Sequence, residues 1–322
     1  MKKFLTLFLF VGMLFVVVAC DNGDADDNGN GTGDNGGGTE ETGNGENGAG
    51  EDISVGLSMS TLGNPFFVFL SDQVVEAAEA AGMSIEVADA QDDSATQIND
   101  IEDLLLTDID VLIINPTDSA AIVTAVEAAN EAGIPVITID RSVDGGDVVT
   151  SIVSDNVGGG VMAAEYLVET LGEGAYVVEI SGIPGASATR DRGDGFHSIA
   201  DDQLNVLASQ AGNFNRTDAL NVMEDLLQAH QDIVGVFAQN DEMALGAMEA
   251  INASSRDIIV IGFDGSAEAL DAIRAGELDS TIVQQFDVMA QLAIEAALDA
   301  LAGESVEPLI YVPVRVGTQE TE

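Results

Sequence analysis

From Ile53 onward, short β-branched runs alternate with amphipathic stretches of about 12–16 residues, and this rhythm constrains the fold more than any other feature of the chain. Strands are expected at Ile53–Met59, Ser84–Ala88, Val111–Asn115, Val136–Asp140, Val148–Val153, Tyr176–Ile180, Asn205–Gln210, Val234–Gln239, Ile258–Phe263, Thr281–Gln284 and Leu309–Val314. Helices fill most of the intervals, so repeated βα units with parallel sheets are implied. Asn64 followed by Pro65 marks a helix start, with Val68, Val74, Ala77, Ala78 and Ala81 recurring on one face. Gly82, Gly133 and Gly172 close helical patterns. So many strands would make one sheet unusually wide, so two α/β lobes of similar size are expected. No proline- or glycine-rich linker separates them, which places extended crossings near Ser154–Asn156, Gln284–Gln285 and Val312–Val314. The first lobe then comprises residues 53–154 plus 285–312, and the second 155–284 plus 313–322.

Charge narrows the function. Among 322 residues, 57 Asp and Glu face 9 Lys and Arg, a formal net charge of −48 that leaves no basic groove for a phosphate backbone. Nucleic acid is therefore excluded as a partner. The only lysines are Lys2 and Lys3, so each later arginine is informative. A surface this acidic repels itself unless salt screens it, and the expectation is a salt-rich habitat, with stability higher in molar salt than in dilute buffer.

Lys2 and Lys3 precede the uncharged run Phe4–Ala19, an export segment shorter than the ~20 residues needed to span a bilayer. It ends in Val17-Val18-Ala19-Cys20, with the only cysteine of the chain where a lipoprotein signal would be cleaved and acylated. Residues 1–20 are thus expected to be a lipoprotein signal peptide, with Cys20 the lipidated N-terminus; an ordinary cleaved signal or a short anchor is the alternative. Residues 21–52, rich in Gly, Asn, Asp and Glu, are too polar to fold and read as an acidic tether. The folded part would then work on the extracytoplasmic face, touching the membrane through its lipid anchor only.

In open α/β sheets, ligands bind beyond the carboxyl ends of the strands. Ser60–Asn64 follow the first strand, Asn115 ends the third and Asp140-Arg141 end the fourth; Asn240-Asp241 and Asp264 follow later ones. Singly, each also reads as a helix cap or turn residue. Together, carboxylates that accept, a guanidinium that donates and amides that do both suit a polyhydroxyl ligand. Arg192, in Thr189-Arg190-Asp191-Arg192-Gly193, is a further candidate, against a solvated loop ion pair for it and more so for Arg190. Aromatic residues make up only 5%, yet Phe66 and Phe67 sit at the first helix start and Phe214 lies in the polar stretch Gly212-Asn213-Phe214-Asn215. Such rings can pack on the C–H faces of a sugar, although Phe66 and Phe67 could equally staple the helix to the core.

Seven segments carry a resemblance to the sugar-binding members of the type I periplasmic binding protein family. They are Ser60-Thr61-Leu62-Gly63-Asn64-Pro65-Phe66-Phe67, Ile114-Asn115-Pro116-Thr117-Asp118-Ser119, Ile134-Pro135-Val136-Ile137-Thr138-Ile139-Asp140-Arg141, Ser154-Asp155-Asn156, Arg190-Asp191-Arg192-Gly193-Asp194-Gly195-Phe196, the run from Val236 to Gly246, and Gly262-Phe263-Asp264-Gly265. The resemblance spans about Asp52 to Gly317. It implies two Rossmann-like lobes joined by three hinge crossings that close around a ligand, with no cofactor and no metal. It further implies that Asn64, Asn115, Asp140, Arg141, Arg192, Asn240, Asp264 and Gln284 hydrogen-bond the pyranose form of D-ribose, that Phe66, Phe67 and Phe214 pack against it, and that Ser60 lies at the first-lobe edge. The implied function is a monomeric substrate-binding component that delivers the sugar to an ABC permease, with allose, galactose or xylose as alternative ligands. Near-absence of lysine sets this surface apart from other members, so a chemoreceptor stays only a candidate partner.

Other functions are disfavoured. A glycosidase needs paired carboxylates, and Arg141 is expected to keep Asp140 ionised, while His197 and His230 fall far from the strand ends. A repressor would need a basic DNA-binding segment ahead of Ile53, where the chain is acidic.

Overall fold

In the computed structural model, which describes residues 53–321, the elements run in chain order as follows. The first stretch holds β1 (Ser54–Met59), α1 (Pro65–Ala80), β2 (Ser84–Asp89), α2 (Ser94–Leu104), β3 (Val111–Ile114), α3 (Val123–Ala132), β4 (Val136–Ile139) and β5 (Thr150–Ser154). Next come α4 (Asn156–Leu171), β6 (Tyr176–Ser181), α5 (Ser187–Gln203), β7 (Asn205–Ala211), α6 (Arg216–Ala229), β8 (Gly235–Ala238), α7 (Asp241–Ser254), β9 (Ile259–Asp264), α8 (Ala267–Ala275) and β10 (Ser280–Val283). The chain ends with α9 (Phe286–Ala302), β11 (Leu309–Val312) and β12 (Arg315–Thr318). Export run Phe4–Ala19, Cys20 and the tether 21–52 lie outside the described residues. Among the described residues, no helix is long and apolar enough to cross a membrane.

Two six-stranded sheets result, ordered β11-β5-β4-β3-β1-β2 and β12-β10-β9-β8-β6-β7. Strands β3 (Val-Leu-Ile-Ile), β4 (Val-Ile-Thr-Ile) and β8 (Gly-Val-Phe-Ala) are buried at every position, as strands of a parallel sheet covered on both faces must be. Edge strand β2 instead has no buried position, three of its six residues being exposed and three half-buried. Asn64 caps α1 by accepting from the Phe66 amide, and Gly133 ends α3 in the left-handed region at φ 79°. The apolar residues form two clusters on each sheet, one against either face.

One strand is not among the expected ones. Arg315–Thr318 forms β12 and pairs antiparallel with β10, Ser280 opposite Thr318 and Val283 opposite Arg315. The Arg-Val-Gly-Thr run carries no apolar signal of its own, and its place comes from the free edge of β10.

The chain passes between the sheets after β5, after β10 and between β11 and β12. These passages are tied together: Ser154 Oγ donates to Gln284 Oε1 at 2.6 Å, and Gln285 Nε2 donates to the Pro313 carbonyl at 2.7 Å. Three linked passages restrict relative motion of the sheets to a hinge. Away from the hinge the two sides touch directly through Ser119 N to the Gly185 carbonyl (3.1 Å), Ser142 N to Ser187 Oγ (2.9 Å) and the exposed pair Arg190–Asp144 (3.1 Å).

Candidate functional site

The carboxyl ends of both sheets face one narrow pocket with a cavity volume of about 10 Å³. Asn64, Phe66, Phe67, Asp140 and Arg141 line it from the first sheet's side, and Ala188, Arg192, Phe214, Asn240 and Asp264 from the second's. That volume is about the room of one water, so a larger ligand enters only when the two sides part.

Local structure aims these groups. Asn64 and Asn240 are both helix N-caps: Asn64 Oδ1 accepts from the Phe66 amide at 2.9 Å and Asn240 Oδ1 from the Met243 amide at 2.9 Å. Cap and site readings therefore hold together, because capping spends the amide oxygen and leaves N–H donors at the pocket, although Asn240 Nδ2 also donates to the Phe214 carbonyl at 3.4 Å. Asp140, Phe214 and Asp264 all have positive φ, at 65°, 57° and 135°. L-residues rarely adopt such backbone, and its recurrence at three lining positions marks strain held for a purpose.

Four charged groups meet here, two of each sign, and all are buried. Arg192 is firmly held: Nε donates to Asn156 Oδ1 (2.8 Å), Nη1 to the Gln239 carbonyl (2.7 Å), and the guanidinium lies 3.7 Å from the Phe263 ring centroid. Asp264 Oδ1 lies 3.9 Å from that guanidinium and accepts from Gln284 Nε2 at 2.8 Å. Among the described residues, the Arg141 side chain makes one hydrogen bond, Nη1 to the Pro116 carbonyl at 2.9 Å, and lies between the rings of Phe67 (4.9 Å) and Phe214 (5.2 Å). Its Nε is 3.8 Å from Asp140 Oδ2, beyond hydrogen-bond range. Arg141 Nε and Asp140 Oδ1 are buried without a hydrogen-bond partner among the described residues, although burying such groups unpaired is costly.

Burial pushes the Asp140 carboxyl above the usual carboxylate range, and the opposing pull of Arg141, Arg192 and the Asn115 hydrogen bond does not cancel it. Arg141 does pull the Asp140 carboxyl down, as its place in the sequence implies, but burial is the larger effect, and sequence adjacency shows the cation without the depth of burial. Asp264 is raised still further by burial, with Arg192 opposing, and Asp241 behind it is pushed up to about 6, again by burial.

Three expected site residues stand behind the lining. Ser60 Oγ donates to Asn115 Oδ1 at 2.6 Å, and Asn115 Nδ2 donates to the Ile139 carbonyl (3.1 Å) and Asp140 Oδ2 (3.3 Å). Gln284 is spent between Ser154 and Asp264. In this arrangement all three brace the two carboxylates. Phe66 and Phe67 line the pocket and also belong to the first sheet's core, so the stapling alternative holds beside the site reading. Phe214, expected in an open polar loop, is 8% exposed and packs in the second sheet's core over Gly182, where any side chain would overlap its ring. Arg190 donates from Nη1 to the Gly185 carbonyl at 3.1 Å and pairs with Asp144 at 3.1 Å, both exposed contacts in keeping with the solvated alternative.

Sequence reading did not single out Ala188, Gln97 or Glu179. Gln97, fully buried on α2, donates from Nε2 to the Asn115 carbonyl at 2.8 Å and accepts from the Thr117 amide at 2.8 Å. Glu179 had a legible signal, a carboxylate inside the apolar run Val177-Val178-Glu179-Ile180. Among the described residues, no group of His, Cys, Asp and Glu is arranged to hold a metal ion. His197 bonds Asp201 and Glu179 away from the pocket, and His230 follows the end of α6.

Comparison with known proteins gives a consistent neighbourhood. The family model described as periplasmic binding protein domain matches residues 55–305. A ribose import binding protein of Bacillus subtilis is 53% identical over 270 residues, covering 84% of this chain and 88% of the relative. Among solved structures, an ABC transporter solute-binding protein of Mycobacterium smegmatis with bound glycerol matches with TM-score 0.80 and 36% identity, over 84% of this chain and 95% of that one. A periplasmic solute-binding protein of Actinobacillus succinogenes with bound D-allose matches with TM-score 0.78 and 29% identity, over 84% and 99%.

Proposed function

This chain belongs to the periplasmic binding protein family, and on that premise we propose that it is an extracytoplasmic, lipid-anchored receptor that captures D-ribose between its lobes and delivers it to an ABC import permease. The observation that carries the ligand class is the pair of buried, unpartnered atoms, Arg141 Nε and Asp140 Oδ1, in a small pocket walled by Phe66, Phe67 and Phe214. A sugar hydroxyl donates to the carboxylate oxygen and accepts from the guanidinium, while ring C–H faces meet the phenylalanines. The ribose import role of the 53% identical relative supports the pentose.

Binding without turnover follows from the same arrangement. Because lining residues come from both sheets, the sugar bridges them and stabilises closure by its differential affinity for the closed state. Nothing is required of the site beyond binding and release, and the protein acts as a monomer whose closed form the permease reads. The anchor is Cys20, with residues 21–52 as tether; Cys20→Ala moves the protein from the membrane fraction to the soluble fraction, and continued membrane retention removes the anchor from the proposal.

Thermal shift against a panel of monosaccharides tests the ligand. D-ribose raises the unfolding midpoint more than allose, galactose or xylose at equal concentration, since a ligand of the native state stabilises it by mass action. A larger shift with one of the other three reassigns the ligand within the sugar class, and no shift with any of them overturns the sugar reading.

A further inference from the structure

Behind the second sheet's half of the pocket lies a polar chain that does not touch the pocket. Glu179, on β6, has a side chain only 3% exposed. Its Oε1 accepts from Gln239 Nε2 at 2.8 Å, while its Oε2 accepts from Ser209 Oγ at 2.6 Å and faces His197 Nε2 at 3.1 Å. Gln239 passes the constraint on in three directions. Its carbonyl accepts from Arg192 Nη1 at 2.7 Å, its side-chain oxygen accepts from the Gly182 amide at 3.0 Å beneath the Phe214 ring, and it directly precedes Asn240.

His197 is held on both nitrogens, with Nδ1 2.8 Å from Asp201 Oδ1. A neutral imidazole has one N–H and satisfies one carboxylate; only the imidazolium donates to both. We propose that Glu179 and Gln239 are positioning residues for Arg192, Phe214 and Asn240, and that the proton on His197 couples this positioning to pH. The inference rests on the sugar-binding reading above for its ligand, but the relay itself is a property of the protein alone.

Two charged groups act on His197, Asp201 from its own helix α5 and Glu179 from β6, while β7 contributes the Ser209 hydroxyl to the same Glu179 oxygen. Burial alone would lower the His197 pKa, and the hydrogen bonds and charges of the two carboxylates outweigh it, so the group titrates above its ordinary value. A raised folded-state pKa means that the stabilisation is complete below the unfolded value of about 6.5 and is lost as pH rises through the folded value. Loss of the proton removes the positive charge beside buried Glu179 and leaves one N–H for two carboxylates, which weakens the charge-assisted hold on Glu179 and with it the hold on Gln239.

Ligand-free protein followed by NMR from about pH 5.5 to about pH 9 tests the relay, a window that brackets histidine titration. The Arg192 Nε–H signal is expected to move with the same midpoint as the His197 ring signals. Glu179→Gln, which keeps the size but not the charge, lowers the His197 midpoint and uncouples the two. An Arg192 signal that ignores the His197 titration overturns the relay whether or not ribose is the ligand. In calorimetry with D-ribose over the same range, wild-type affinity falls about threefold or more as pH rises through the histidine range, and His197→Gln, at a partly exposed position, removes that slope. An unchanged slope in His197→Gln overturns the coupling, whereas absence of ribose binding at every pH overturns the ligand assignment and leaves the NMR result to decide the relay.

Discussion

Among the described residues, on the first sheet's side of the pocket the Arg141 side chain makes one hydrogen bond and Asp140 keeps an unpaired oxygen, whereas on the second sheet's side the Arg192 side chain makes two hydrogen bonds and stacks on Phe263, and Asp264 is held by Gln284. Both sides offer an asparagine at a helix cap, an aspartate with positive φ, an arginine and at least one phenylalanine. Composition is nearly symmetrical and bonding is not. The second side's charged groups are held by protein hydrogen bonds, and the first side keeps hydrogen-bonding capacity that no described protein group meets. Such a division combines low reorganisation cost on one wall with a strong incentive to bind on the other.

Substitutions sharpen this contrast. The largest effect is expected from the aromatic wall. Phe214→Ala removes a ring packed in the second core and costs about 3–5 kcal/mol of folding stability, read by denaturant unfolding, while weakening ribose binding tenfold or more. Phe67→Ala, also buried, should cost a similar amount. A cost under about 1 kcal/mol for Phe214→Ala would show that the ring belongs to a loose loop after all. A smaller difference is expected between the arginines. Arg192→Met strands Asn156 Oδ1 and the Gln239 carbonyl and should cost about 1–3 kcal/mol of ligand-free stability. Arg141→Met strands one hydrogen-bond acceptor among the described residues, the Pro116 carbonyl, and removes the looser charge contact with Asp140 at 3.8 Å, so it should cost measurably less. Equal losses would erase the distinction between a held and a receptive wall.

Much of this was legible in the chain. The βα rhythm predicts two parallel α/β lobes, and polar residues following apolar strands, such as Asp140-Arg141 and Asp264, mark the pocket because strand ends are where an open sheet exposes groups to a ligand. Asn64-Pro65 predicts the start of α1 from local capping chemistry alone. What escaped depends on the third dimension. Strand β12 exists because β10 offers an edge, not because Arg315–Thr318 favours extension. Ser60, Asn115 and Gln284 have the right residue types at the right strand ends, but side-chain direction decides that they brace the lining rather than form it. Phe214 sits among Gly212, Asn213 and Asn215, and no local signal reveals that Gly182, far away in sequence, provides its seat. Burial raises the Asp140 carboxyl more than its neighbour Arg141 lowers it, and the sequence does not report that depth.

The central claim is that both walls grip one sugar, and that the unpaired atoms of the first wall are satisfied by it. Isothermal titration of D-ribose into wild-type protein and Arg141→Met tests this most directly. One sugar per chain and a loss of tenfold or more in the variant, about 1.4 kcal/mol, is the predicted result. Wild-type affinity retained in Arg141→Met would contradict it, because a ligand that ignores the guanidinium does not bridge the two walls.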